Sequence, residues 1–129
     1  MALQVELVSP ERILYSGEAE MVVCRTVSGG EVAFLTGHAP FVGALDIGVV
    51  RIKTGDGTEE AAVHGGFVEV RDDRVTVLSD VAELASQIDV ERARRAKEAA
   101  ERQEKDVDDA EREGALRRAH VRLAVGGNA

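Results

Sequence analysis

Ser86-Gln87-Ile88-Asp89-Val90-Glu91-Arg92-Ala93 is where two folding habits meet. Upstream, apolar residues alternate with polar ones or run in short bursts between glycines. Downstream there is no proline, only three glycines remain, and Ala, Glu, Arg and Lys crowd the chain. The first pattern belongs to strands and the second to helices, so the stretch divides residues 1–85 from residues 86–129. Ser86 and Asp89 are both favoured helix N-caps, and Ser-x-x-Asp resembles a capping box. A helix is therefore predicted to begin near Asp89.

Downstream of the junction, Ala93, Ala96, Ala100, Gln103 and Val107 fall at three- and four-residue steps and form one narrow face. Ala110, Ala115, Leu116, Ala119 and Leu123 form a second. Asp106-Val107-Asp108-Asp109 lies between them. Aspartate is a weak helix former and a good cap, which favours a two-helix hairpin. Without Gly or Pro there, a single helix reaching about Ala124 is also permitted. Both faces are mostly alanine. At roughly 0.8 kcal/mol per buried CH₂, such a seam holds weakly. An appendage able to undock or extend and a permanently packed hairpin both satisfy this composition.

Upstream, Leu3, Val5 and Leu7 alternate with Gln4 and Glu6, the signature of a half-buried strand. Ser9-Pro10-Glu11-Arg12 reads as a turn, and Ile13-Leu14-Tyr15 opens a second strand with a bend at Gly17. Met21 to Thr26 reads as a strand covered on both faces. Ser28-Gly29-Gly30 turns into a strand at Glu31 to Leu35, and Thr36-Gly37-His38-Ala39-Pro40 is an ordered loop because Pro40 disfavours helix before it. Leu45 to Lys53 is a strand with a bulge expected at Gly48. Thr54-Gly55-Asp56-Gly57-Thr58 is a hairpin tip, Glu59 to His64 returns, and Gly65-Gly66 is expected to turn again. Phe67 to Val70 and Val75 to Leu78 flank a further tip at Arg71-Asp72-Asp73-Arg74. About ten short strands with turn signals every eight to twelve residues favour an antiparallel β-sandwich. The fold class is thus mostly β plus α: an N-terminal sandwich, residues 1–85, then a C-terminal helical part, residues 86–129.

The 129 residues hold 44% apolar side chains but only 3% aromatic, so the core must be Val, Leu, Ile and Ala. The net charge of −8 lies wholly on residues 1–85. An acidic surface argues against nucleic acid, which needs a basic patch, and gives no reason to bind anionic lipid. The single Cys24 cannot form an internal disulfide and reads as a small buried hydrophobe. No signal segment and no apolar run of about eighteen residues is evident. The reading is a soluble intracellular chain that meets a membrane only through another protein. His38, His64 and His120 lack metal-ligand spacing, no Gly-rich phosphate loop precedes a helix, and Gly-x-Ser-x-Gly is absent. Asp72-Asp73 is better read as a solvated turn than as paired catalytic carboxylates. His38 sits in a Gly/Pro-bounded loop, where binding residues gather.

Several short stretches follow one another in order: Ser9-Pro10-Glu11-Arg12 with Leu14-Tyr15-Ser16-Gly17-Glu18, Gly30-Glu31, Gly37-His38-Ala39-Pro40, Gly65-Gly66-Phe67-Val68-Glu69-Val70, Val75-Thr76-Val77-Leu78-Ser79-Asp80 and Ile88-Asp89-x-x-Arg92-Ala93. Together, in this order and at these spacings, they resemble one family, the epsilon subunit of rotary proton-translocating ATP synthases. The resemblance implies a two-helix hairpin after the sandwich and a non-catalytic subunit of the central stalk that couples c-ring rotation to ATP synthesis elsewhere. The sandwich would sit at the foot of the gamma subunit against the c-ring, with the Glu31 loop toward the ring and the His38 loop toward gamma. The helices, folded down, would permit turnover; extended along gamma toward the alpha/beta head, they would block ATP hydrolysis. The implied place is the cytoplasmic face of a bacterial plasma membrane, peripherally.

Some bacterial members bind ATP in the folded-down state through a motif matched here by Ile88, Asp89, Arg92 and Ala93. Glu83 and Arg122 match an acid and a base of the same site. Arginines meet phosphates bidentately, and carboxylates accept from adenine or ribose donors. Ala99 and Gly126 stand where ATP-binding members often carry further arginines, so weak or lost affinity is expected. The structural alternative is that Asp89 caps the helix and Arg92 forms a surface pair. No cofactor is required; ATP would be a regulatory ligand. A rival of another class is a free-standing β-sandwich ligand-binding module with a helical oligomerisation tail. A small hydrolase is a third, without a nucleophile–base–orienter arrangement readable in the sequence.

Overall fold

The structure, a computed structural model, describes residues 2–102 and 109–126. The strands are β1 Leu3–Val8, β2 Ile13–Ala19, β3 Met21–Thr26, β4 Gly30–Leu35, β5 Phe41–Thr54, β6 Gly57–Arg71, β7 Arg74–Leu78 and β8 Ala82–Leu84. One 3-10 turn, Ala85–Gln87, leads to helices α1 Val90–Glu101 and α2 Asp109–Gly126. The strands form one sheet in the order β2-β1-β7-β6-β5-β3-β4, with β8 added to β6. It closes on itself as a sandwich whose inner faces meet at Leu3, Val5, Leu7, Phe34, Val50, Ile52, Val68 and Val77, all at most 2% exposed. All core-cluster residues come from strands.

Eight strands replace the expected ten, because two are long. The Gly65-Gly66 pair does not turn. β6 runs through it, with φ of +90° and +122° bending the strand instead. The bend has a purpose in the topology: residues 61–63 of β6 pair with β8, and residues 67–71 pair with β7. At Gly48 the β5–β6 ladder is unbroken. The register shift falls on the other edge of β5, in its pairing with β3 between Val23 and Thr26. β1 and β7 pair in parallel, an exception to the antiparallel expectation that local alternation cannot reveal. On β3, Val22, Cys24 and Thr26 are buried but Arg25 is exposed, so only one face is fully covered. Burial pushes the Cys24 thiol up to about 12.

Helix α1 starts where expected. Asp89 is its N-cap, and its Oδ1 accepts from Arg92 N–H at 3.0 Å. Ser86 is instead part of the 3-10 turn, so the Ser-x-x-Asp pair is not a capping box. α1 ends at Glu101 and α2 packs beside it as the second arm of a hairpin. The buried side chains between and beneath them are Ala93, Ala100, Ala119 and Val125; Ala96 is exposed. Gln103 and residues 106–108 of the expected Asp106-Val107-Asp108-Asp109 breaker lie outside the described residues, as does the side chain of Ala110, while Asp109 opens α2. Among the described residues, four small buried groups, with Leu116 and Leu123 only half-buried, give the pair little hydrophobic hold. No helix among the described residues is long and apolar enough to cross a membrane.

Gly114 lies inside α2, where glycine costs about 1 kcal/mol relative to alanine. Among the described residues, a Cβ there would meet only the end of the Arg118 side chain, at 3.2 Å. Gly114→Ala is expected to stabilise the chain by about 0.5–1 kcal/mol in urea unfolding; a loss of stability would contradict the open environment seen for this residue.

Candidate functional site

The hinge between β8 and α1 lies beside α2, and the three elements enclose a cleft of about 390 Å³. β8 contributes Glu83, the hinge Gln87 and Asp89, α1 Arg92, and α2 Arg122. The sequence separates Glu83 from Arg122 by 39 positions, yet Arg122 Nε donates to Glu83 Oε1 at 2.6 Å. Each side chain is a little over one quarter exposed, 28% and 27%. The pair is thus only partly desolvated, and it pins α2 to β8. Arg122 also lines the cleft.

Four of the five residues expected at a nucleotide site, Glu83, Asp89, Arg92 and Arg122, come together here. Ile88 does not line the cleft. It packs on the end of α2 instead: a Cβ built on Gly126 would lie 2.9 Å from Ile88 Cγ2 and 3.0 Å from Val90 Cγ2. A larger residue at 126 would hold the helix off the hinge. Asp89 spends one carboxylate oxygen on the α1 cap, so the capping role and the cleft-lining role coexist. Arg92 is exposed and points no ion pair at any described acid, contrary to the surface-pair alternative. Two guanidiniums and two carboxylates lining one cleft supply the groups that could hold a polyphosphate and accept ring or ribose donors.

Behind the cleft lies a residue to which the sequence assigns no role. His64 of β6 is 3% exposed at its side chain, and its Nε2 lies 3.7 Å from Glu83 Oε1. Neither ring nitrogen has a hydrogen-bond partner among the described residues. Burial first, then the Arg122 guanidinium, pushes the ring down to about 4; Glu83 opposes the shift. The run Ala61-Ala62-Val63, buried on both faces, was the available signal that this part of β6 is covered.

A second docking contact also escapes sequence reasoning. Arg117 of α2 reaches Asp46 of β5 at 2.7 Å. Burial alone would raise the Asp46 carboxyl, but bonds from Arg117 and the Ile47 amide, with the charges of Arg117 and Arg25, hold it below the usual carboxylate range.

The two expected partner-contact residues sit apart: Glu31 near the start of β4 and His38 in the loop beyond its end at Leu35. Glu31 accepts from Arg51 Nη1 at 3.1 Å and is 59% exposed. His38 stacks edge-on against Phe34, with ring centroids 5.0 Å apart, and its Nδ1 lies 2.7 Å from Ala39 O. Its loop is tied to the β6–β7 tip, where Asp73 Oδ1 accepts from Gly37 N–H at 2.7 Å. Asp72 and Asp73 themselves adopt φ of +50° and +59°, the geometry of a two-residue hairpin tip. No three His, Cys, Asp or Glu side chains cluster as metal ligands among the described residues.

The family model for the β-sandwich domain of the ATP synthase delta/epsilon chain matches residues 2–85. Among curated relatives, the ATP synthase epsilon chain of Halalkalibacterium halodurans is 47% identical over 130 residues, spanning 97% of both chains. That of Streptomyces griseus is 50% identical over 122 residues, covering 94% of this chain and 92% of the relative. Two solved structures share the fold. A chain of the Euglena gracilis mitochondrial ATP synthase superposes with a TM-score of 0.72 at 22% identity, covering 98% of this chain and 78% of that one. A chain of the Tetrahymena thermophila mitochondrial ATP synthase, from a central stalk/c-ring structure, gives 0.58 at 14% identity, covering 99% and 96%.

Proposed function

The chain belongs to the family of ATP synthase epsilon chains, and from that premise we propose that it is a non-catalytic subunit of the central stalk whose hinge binds ATP and whose helices restrain ATP hydrolysis. The sandwich docks between the gamma subunit and the c-ring on the cytoplasmic face of the membrane and transmits rotation. The Glu31 end of β4 faces the ring and the His38 end faces gamma. Placing the two loops at opposite ends of one strand suits a wedge held between two partners. The membrane is met only through the complex.

One observation carries the regulatory half: Glu83, Asp89, Arg92 and Arg122 converge on one cleft only because α2 is folded down against β8. A ligand bridging Arg92 of α1 and Arg122 of α2 binds this arrangement and has no equivalent when the helices extend. It therefore shifts the population toward the folded-down state by its differential affinity. Ala99 and Gly126 contribute no charge, so the phosphates meet two arginines and binding is weak.

Calorimetry of the full chain tests this. ATP is expected to bind in the high-micromolar to millimolar range. Arg92→Ala, at an exposed position that supports no described ion pair, is expected to weaken binding about tenfold or more, the worth of one charge-assisted bidentate contact. No heat at millimolar ATP, or equal binding by the variant, would overturn the nucleotide site. It would leave the rotor role standing.

A further inference from the structure

We propose that His64 is an acid-sensitive latch: protonation of this buried ring releases α2 from the sheet. The inference goes beyond nucleotide binding and needs only the folded-down hairpin. It starts from geometry. His64 is the side chain over which β6, β8 and α2 close. Its ring is 3% exposed, and both ring nitrogens lack partners among the described residues. A neutral imidazole tolerates such a place at modest cost, whereas an imidazolium does not.

Among the described residues, three charged groups act on the ring. From α2, Arg122 and Arg118 both disfavour a charged ring. From β8, Glu83 favours it, but that carboxylate is already engaged by Arg122 Nε at 2.6 Å, against 3.7 Å to His64. From β5, the cross-strand neighbour is the apolar Ile47. One carboxylate therefore stands between two cations once the ring is protonated. Lifting α2 away removes both guanidiniums, admits water and leaves Glu83 free to pair with the imidazolium. Glu83 travels with His64 in either arrangement, because β6 and β8 are paired at residues 61–63. Burial and both arginines thus act in one direction, and only the docked state suffers.

The pH window follows. The ring sits at about 4 with α2 docked, against an ordinary value of 6.5. A histidine with a depressed value in the docked state supports docking above the ordinary value and loses that support as pH falls. The ratio of docked to released α2 should drop about tenfold between pH 7.5 and 5.5. The Arg117–Asp46 pair does not confuse this window, since Asp46 is held below the usual carboxylate range.

The test uses the full chain with spin labels on Thr58→Cys and Glu113→Cys, both exposed positions. Cys24 is buried, with its thiol pushed up to about 12, and stays unlabelled. Distance distributions between the labels count docked and released helices. The expected result is the tenfold shift in the full chain and a flat profile in His64→Gln and His64→Leu. A nuclear magnetic resonance titration of the unmodified chain gives an independent reading should the variants fold poorly: His64 should remain neutral through pH 5.5 in the docked population. A His64 ring that titrates near 6.5 while docked would overturn the latch. So would an unchanged docked fraction at pH 5.5, or the same pH profile in folded variants. None of these readouts depends on ATP.

Discussion

Gly66→Ala is expected to cost the sandwich about 3–5 kcal/mol, because its Cβ would make the closest approach of any glycine among the described residues. A Cβ at this position would lie 2.0 Å from Leu78 O and 2.9 Å from Ser79 Cα. Those are backbone atoms of the end of β7 and the start of its connection to β8, and they cannot step aside as a side-chain tip can. The φ of +122° adds strain for any L side chain. The connection is itself fixed: Ser79 Oγ lies 2.7 Å from Gly65 O and 2.9 Å from Val81 O, and Val81 O accepts from His64 N–H at 3.0 Å. Pushing Leu78 away breaks the Phe67–Leu78 rung at the point where β6 changes partner. Gly65→Ala supplies the comparison. Its φ of +90° is also strained, but the nearest atom to its Cβ is Leu45 O at 3.8 Å, so about 1–2 kcal/mol is expected. Urea unfolding of the two variants separates strain from collision. Equal losses would show that the close backbone approach at Gly66 is not what demands glycine.

Removing residues 87–129 is expected to leave the sandwich folded and able to enter the complex while abolishing restraint of hydrolysis. The core cluster contains strand residues only, and the last strand ends at Leu84. The helices dock through small groups and two partly exposed pairs, Arg117–Asp46 and Arg122–Glu83, each worth little in isolation. The deletion therefore uncovers Ala62 and His64 without opening the core. On the proposed function, the same weak docking that leaves the helices dispensable for folding lets them change position, and the restraint of hydrolysis is expected to be lost with them.

Much of this was legible locally. Alternation in residues 3–7, the hairpin tips and the Asp89 cap each rest on signals a few residues long, and each lies where expected. Gly65-Gly66 misled because two positive-φ glycines serve equally for a turn and for a bend. Only the β7 and β8 partners decide between them, and those lie far along the chain. The parallel β1–β7 pairing is hidden for the same reason. At the hinge, the motif Ile88-Asp89-x-x-Arg92-Ala93 marked the place, and Arg122 was reached only through resemblance. What periodicity could not show is that Glu83 already holds Arg122, that Asp46 holds Arg117, and that His64 lies buried beneath. These contacts join oppositely charged residues on different elements, and the 31% charged composition offers many other pairings.

The most direct measurement compares ATP hydrolysis by whole ATP synthase assembled with the full chain and with the chain ending at Ser86. Assembly with gamma and the c-ring is expected to be equal, and hydrolysis to rise about fivefold or more without the helices, the low end of ordinary coupling free energies. Failure of the shortened chain to enter the complex, or an unchanged rate in a complex that contains it, would contradict a docking sandwich that carries a releasable restraint.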